Sequence, residues 1–240
     1  MKIVNKLLQE IANLAFEYKA RSAVIKQKVN FKVPNVCQFA RPEHAELSLR
    51  KQLAPAEDPY WEESGARSPE RYADWAFTMC GMASAAMAIG YFNNEDMKPV
   101  HLAEDALRTG VYTEERGGIS NMKYKEFAHW LRTHKLKAKV YSRLSTRGIR
   151  SALSEGQLVI ISVNPNIRGY DTAPAGQIGG HLVVATGYDL VANTMSINNP
   201  SGFVSTDTQV NHTLSISEFG RYFAGRGIVI SPIDSSKESL

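Results

Sequence analysis

The chain changes character at Leu136, and few folds accommodate that change. Before this point apolar residues recur at helical spacing; after it, short β-branched runs alternate with turn residues. The later half predicts strands over Lys137–Tyr141, Leu158–Val163, Leu182–Gly187, Thr194–Asn198 and Gly227–Ser231, with helices over Thr146–Glu155 and near Ile216–Tyr222. The earlier half predicts an amphipathic helix from Val4 to about Lys19 and an extended or strand segment over Val29–Ala40. Further helices are predicted over Glu43–Gln52, from Cys80 to Tyr91, over His101–Arg108 and from Tyr124 to near His134, with a loop over Thr113–Ile119. Helices first and strands second predict an α+β domain whose site lies between the two.

With 240 residues, 43% of them hydrophobic, the chain is long enough to bury one sizeable core. A net charge of +4 comes from 28 basic and 24 acidic residues that are interspersed, so no nucleic-acid partner is implied. No run of about eighteen apolar residues occurs, and the N-terminal stretch carries Asn5, Lys6, Gln9, Glu10 and Asn13 where an export signal would be apolar. The expectation is a soluble, cytoplasmic protein with no membrane span. The first helix reads as a docking element that completes the fold, since most apolar stripes face a core.

Cys80 begins a small-residue run, Cys-Gly-Met-Ala-Ser-Ala-Ala-Met-Ala-Ile, that favours a buried helix. A thiol in the first turn meets unpaired N–H groups, which favour the thiolate. A lone cysteine more often simply packs. A histidine heading an apolar strand at Gly180-His181-Leu182, followed by Ile197-Asn-Asn-Pro-Ser-Gly202, raises the case for a thiol nucleophile. Cys37 has no helix behind it and reads as a packed thiol; neither cysteine implies a disulfide. His44, His101, His129, His134 and His212 lack metal-ligand spacing, so no metal or cofactor is expected.

Together, Val33-Pro-Asn-Val-Cys-Gln38, Cys80-Gly-Met-Ala-Ser-Ala-Ala-Met87, Gly180-His-Leu-Val-Val-Ala-Thr-Gly-Tyr-Asp189 and Ile197-Asn-Asn-Pro-Ser-Gly202 resemble the double-glycine-leader, bacteriocin-processing peptidases, in a stand-alone form. The resemblance implies a papain-like cysteine peptidase fold, with the nucleophile helix packed on an antiparallel sheet. It implies thiol-dependent hydrolysis of a peptide or protein substrate, with Cys80 as nucleophile, His181 as base and Asn199, directly before Pro200, as the orienting residue. Many relatives carry Asp at that last position. Gln38 fits the family's oxyanion donor although it lies 42 residues before Cys80. Asp74 is the rival, and as an ionised carboxylate it would repel an oxyanion.

The resemblance divides the chain into a helix and linker (1–28), a peptidase domain (29–232) with an insertion over 41–70 near the site, and a frayed tail (233–240). The insertion and the loop Asn164–Gln177 are the expected groove walls. Leader-cleaving relatives are usually fused to a transporter, and none is visible in this sequence, so leader processing does not follow. A non-catalytic peptide-binding module on the same scaffold, and an acyl transferase or transglutaminase-like enzyme, remain alternatives. Oligomeric state is not legible.

Overall fold

A computed structural model describes residues 2–116, 118–171, 173–174 and 176–233. The chain opens with α1 (Lys2–Ser22) and a short strand β1 (Lys28–Asn30), then forms α2 (His44–Leu49), two 3-10 turns, α3 (Pro69–Ala76), α4 (Cys80–Asn93) and α5 (Pro99–Arg108). A small ribbon of β2 (Glu114–Glu115) and β3 (Gly118–Ile119) leads to α6 (Tyr124–Trp130). Then come β4 (Leu136–Tyr141), α7 (Thr146–Ser154), β5 (Leu158–Val163), β6 (His181–Asp189), β7 (Thr194–Asn198), β8 (His212–Ser215), α8 (Ile216–Tyr222) and β9 (Phe223–Pro232).

The main sheet is antiparallel and runs β4-β9-β5-β6-β7-β8, with β1 pairing the second half of β6 beyond the end of β5. All six residues of β5 are buried because successive side chains feed opposite cores. Leu158 and Ile160 join Leu182, Val184, Ile228 and Ile230 beneath α3 to α6, where Trp75, Met87 and Trp130 sit. Val159, Ile161 and Val163 join Val183, Ala185 and Val229 against Ile149 and Leu153 of α7 and Phe219 of α8. Both faces of the central strands are therefore covered, and α4 lies directly on β6.

The strands expected over Leu158–Val163 and Thr194–Asn198, and the helix over Ile216–Tyr222, match residue for residue. Between Val29 and Ala40, only the start is paired as a strand, since Pro34 has no N–H to give a ladder. The loop expected over Thr113–Ile119 contains the β2–β3 ribbon, and β8 was not anticipated: of its four residues only Leu214 is buried, too short a pattern to read.

The first helix docks with the face opposite to the expected one. Val4, Leu7, Ile11, Leu14 and Tyr18 are more than half exposed. The contact is made instead by Gln9, Asn13 and Glu17, one polar stripe at four-residue spacing, together with Phe16, whose ring lies 4.1 Å from that of Tyr141, and buried Ala20. Gln9 Nε2 donates to the Val140 carbonyl of edge strand β4 (2.8 Å), and Asn13 Nδ2 donates to Ser142 Oγ (2.8 Å). The Glu17 carboxylate accepts from the Ser145 N–H (2.8 Å) and hydroxyl (2.6 Å). Arg147 donates to the Ala20 and Ala23 carbonyls at the helix end, both at 2.9 Å. The docking surface is rich in unpaired polar groups, so a polar stripe satisfies it and an apolar one would not.

Residues 41–70 fold against α3 and the segment after β7: His44 Nδ1 meets Asp58 (2.9 Å), the Tyr72 hydroxyl donates to Asp58 (3.4 Å), and Gln209 Nε2 donates to the Pro42 carbonyl (2.7 Å). Among the described residues no helix is long and apolar enough to cross a membrane. Residues 234–240, expected as a frayed tail, lie outside the described residues.

Candidate active site

Cys80 is the first residue of α4, and no side chain caps that helix. Its opening N–H groups are left for whatever lies at the helix mouth. The next residue has to be small: a Cβ on Gly81 would come within 2.5 Å of Met122 Sδ and 3.3 Å of Leu182 Cδ1. Gly81 to Ile89 are all buried, whereas Cys80 itself is only half-buried, at the edge of the cleft.

His181 starts β6 and is 4% exposed. Gly179 and Gly180 lead into it with φ of +79° and +101°, a region glycine reaches without strain. Asn199 follows β7 and is fully buried. The Ser201 N–H donates to Asn199 Oδ1 (3.1 Å), which identifies that atom as the oxygen, and the same oxygen lies 2.7 Å from His181 Nε2. Nε2 therefore carries the proton, and Nδ1 keeps its lone pair. The neighbouring Asn198 turns elsewhere: its Nδ2 donates to the Val33 carbonyl (3.0 Å) and its Oδ1 accepts from the Asn211 N–H (2.7 Å).

Two further residues adjoin the imidazole. Ser201 Oγ is 3.2 Å from His181 Nε2, and Arg168 Nη2 donates to that hydroxyl (2.7 Å). Arg168 is 4% exposed. Burial pushes His181 down to about 3, the Arg168 charge pushes the same way, and the Asn199 hydrogen bond opposes both. Burial also raises the Cys80 thiol, against the pull of the Leu182 N–H, the Arg168 charge and the N–H groups of Gly81 and Cys80. The helix start thus favours a thiolate, as expected, but burial outweighs it. At rest the pair is a neutral thiol and a neutral imidazole. Burial likewise pushes the Cys37 thiol up, to about 12.

Cys80, Gly81, Gly180, His181 and Leu182 line a cleft of about 350 Å³, closed by Phe77, Thr78, Asn121, Met122, Tyr124 and Arg226. Among the described residues its lining includes none from Arg41–Glu70 or Asn164–Gln177, the expected walls. The first segment is held against α3, and the second contributes Arg168, which donates to Ser201. Gln38 is buried outside the lining; its N–H donates to the Pro200 carbonyl (2.8 Å) and its Nε2 to the Ala76 carbonyl (2.9 Å). Gln38 Oε1 is buried without a partner, which costs about 1–3 kcal/mol. A flipped amide would set that oxygen against the Ala76 carbonyl, so the second Nε2–H remains the spare donor. Asp74 is half exposed and pairs with Arg71 (3.3 Å), away from the cleft lining.

Ser201, Arg168 and Arg226 were not singled out from the sequence. Nothing in their residue types marks them: Ser201 sits in the turn after β7, Arg168 ends a 3-10 turn and Arg226 lies in β9, and tertiary approach brings them to the site. No group of three or more His, Cys, Asp or Glu side chains suited to a metal ion occurs among the described residues.

No curated protein matches the chain. Among solved structures, a double glycine motif protease from an AMS/PCAT transporter, in complex with the leader peptide, is 22% identical; the match covers 65% of this chain and 85% of that one at a TM-score of 0.42. The peptidase domain of Streptococcus ComA, a bi-functional ABC transporter, is 11% identical over 64% of this chain and 91% of its own, also at 0.42. A putative C39-like peptidase from Bacillus anthracis is 17% identical and matches over 86% of this chain and 98% of its own, at 0.51. The mixed helix and antiparallel-sheet architecture is that of the papain-like C39 peptidases. Residues 57–227 match the model of the Peptidase_C39 like family, and the chain belongs to that family.

Proposed function

We propose that this protein is a cysteine peptidase that cuts a peptide or amide bond through an acyl-enzyme. The observation that carries the reading is the chain from the Ser201 N–H through Asn199 Oδ1 to His181 Nε2, which leaves Nδ1 unprotonated on a ring that shares its cleft with Cys80. The Leu182 backbone, next to His181, is one of the influences that pull the Cys80 thiol down, and this supports it.

In this mechanism His181 Nδ1 takes the thiol proton as Cys80 Sγ attacks the carbonyl carbon, giving a tetrahedral oxyanion and an imidazolium. The spare Nε2–H of Gln38 and the Cys80 backbone N–H are the donors assigned to that oxyanion. The imidazolium then protonates the departing amine. Water, deprotonated by the same nitrogen, releases the acid and restores the thiol. Asn199 fixes the tautomer at every stage but, being neutral, stabilises the imidazolium less than a carboxylate would.

Both cysteines are free, which suits a reducing compartment such as the cytoplasm. The test is labelling with iodoacetamide at neutral pH. Cys80→Ala is expected to abolish it and Cys37→Ser to leave it intact; labelling unchanged in Cys80→Ala would remove Cys80 as the nucleophile.

A further inference from the structure

We propose that Arg226 makes the leaving-group side of the Cys80–His181 cleft a carboxylate subsite, so that substrates carry an acidic side chain or their own terminal carboxylate just beyond the cut bond. The proposal rests on the peptidase reading and adds a substrate class to it.

The first ground is how Arg226 reaches the cleft. Along the β5–β9 ladder Ile161 faces Gly227 and Val163 faces Phe223, so β9 takes four steps where β5 takes two. The two extra residues form a bulge, a device that re-aims side chains. Gly225 sits in it at φ +67°, and its carbonyl accepts from the Leu144 N–H (2.8 Å). Arg226, next along, joins Cys80, Gly180 and His181 in the cleft lining.

The second ground is the space made for the guanidinium. A Cβ on Gly179 would lie 2.2 Å from Arg226 Nη2 and 2.8 Å from Ser162 Oγ. Glycine there leaves room for the guanidinium against the backbone that enters His181. Since His181 delivers its proton to the departing amine, the amine half of a bound peptide passes this side.

The third ground is charge. Arg226 is the one permanently charged side chain among the described residues of the lining, which otherwise offers Phe77, Met122 and Leu182 with neutral polar groups. Among the described residues no carboxylate pairs with it, whereas Arg41 and Arg71 each hold glutamates. Its hydrogen bond to the Ile178 carbonyl is long, at 3.4 Å. A guanidinium in a cleft, lacking an anion, matches a carboxylate geometrically and electrostatically.

The experiment compares alkylation rates of Cys80 in the whole protein by paired bromoacetyl dipeptides, whose chains run from the reactive carbon toward the leaving-group side. One pair is bromoacetyl-Gly-Glu-NH2 against bromoacetyl-Gly-Gln-NH2. The other is bromoacetyl-Gly-Gly with a free carboxylate against its amide. The acid of at least one pair is expected to react about 3- to 10-fold faster than its neutral mate, and the pair that does so identifies the source of the carboxylate. Arg226→Gln should bring the ratio to about 1, Arg226→Lys should retain most of it, and Arg226→Glu should invert it. A ratio unchanged in Arg226→Gln, or near 1 for both pairs in the unaltered protein, overturns the proposal. Labelling by every probe that survives Cys80→Ala strikes instead at the peptidase reading, so the two failures are distinguishable.

Discussion

Helices α4 and α1 both carry a run of apolar residues, yet the protein uses them in opposite ways. In α4 every residue from Gly81 to Ile89 is buried, and the helix lies on the sheet through its small residues. In α1 the stripe of Val4, Leu7, Ile11, Leu14 and Tyr18 faces outward while Gln9, Asn13 and Glu17 bind the domain. Periodicity reveals that a helix has two faces. Which face docks is decided by what the partner surface lacks: the sheet beneath α4 presents apolar side chains, whereas β4 and the turn after it present a carbonyl, two hydroxyls and an N–H.

Substitutions can break or sharpen this contrast. The largest effect belongs to Met87→Ala in α4, where a fully buried side chain leaves a cavity; a loss of about 2–5 kcal/mol is expected in chemical denaturation. Next comes Glu17→Ala, which removes two charge-assisted hydrogen bonds and strands the Ser145 N–H, for a loss on the order of 1–3 kcal/mol. The smallest is Leu7→Ser, expected to stay within about 0.5 kcal/mol because the side chain is 61% exposed. A Leu7→Ser cost that rivals Met87→Ala would show that the outward stripe is covered in solution, and the contrast would fail. A Glu17→Ala cost near zero would place the docking of α1 elsewhere.

The sheet was legible in the sequence wherever burial on both faces demanded unbroken β-branched runs, as in Leu158–Val163, or where turns bounded a short alternation, as in Thr194–Asn198. The strand His212–Ser215 was not, because a single buried leucine carries no period. At the candidate site, Cys80 and His181 could be nominated because one begins an apolar small-residue helix and the other heads an apolar strand, whereas Asn199 and Gln38 came from the resemblance to the double-glycine-leader peptidases. The residues that surround them could not. Met122 presses on Gly81 from 41 positions along the chain, and Arg168 donates to Ser201, which in turn lies beside His181. Contacts of that kind, and the effect of the Arg168 charge on His181, depend on tertiary approach, and local sequence leaves no trace of them. The orientation of α1 failed for a related reason, since a polar stripe looks the same whether it meets water or a strand edge.

The slack in β9 has a structural consequence of its own. From Gly227 onward the strand is clasped on both flanks, by β4 and by β5, and its inward side chains belong to the core. The residues just upstream stand outside that clasp. Arg226 lies in that slack segment, so its side chain is free of the two-sided ladder that fixes the residues from Gly227 onward.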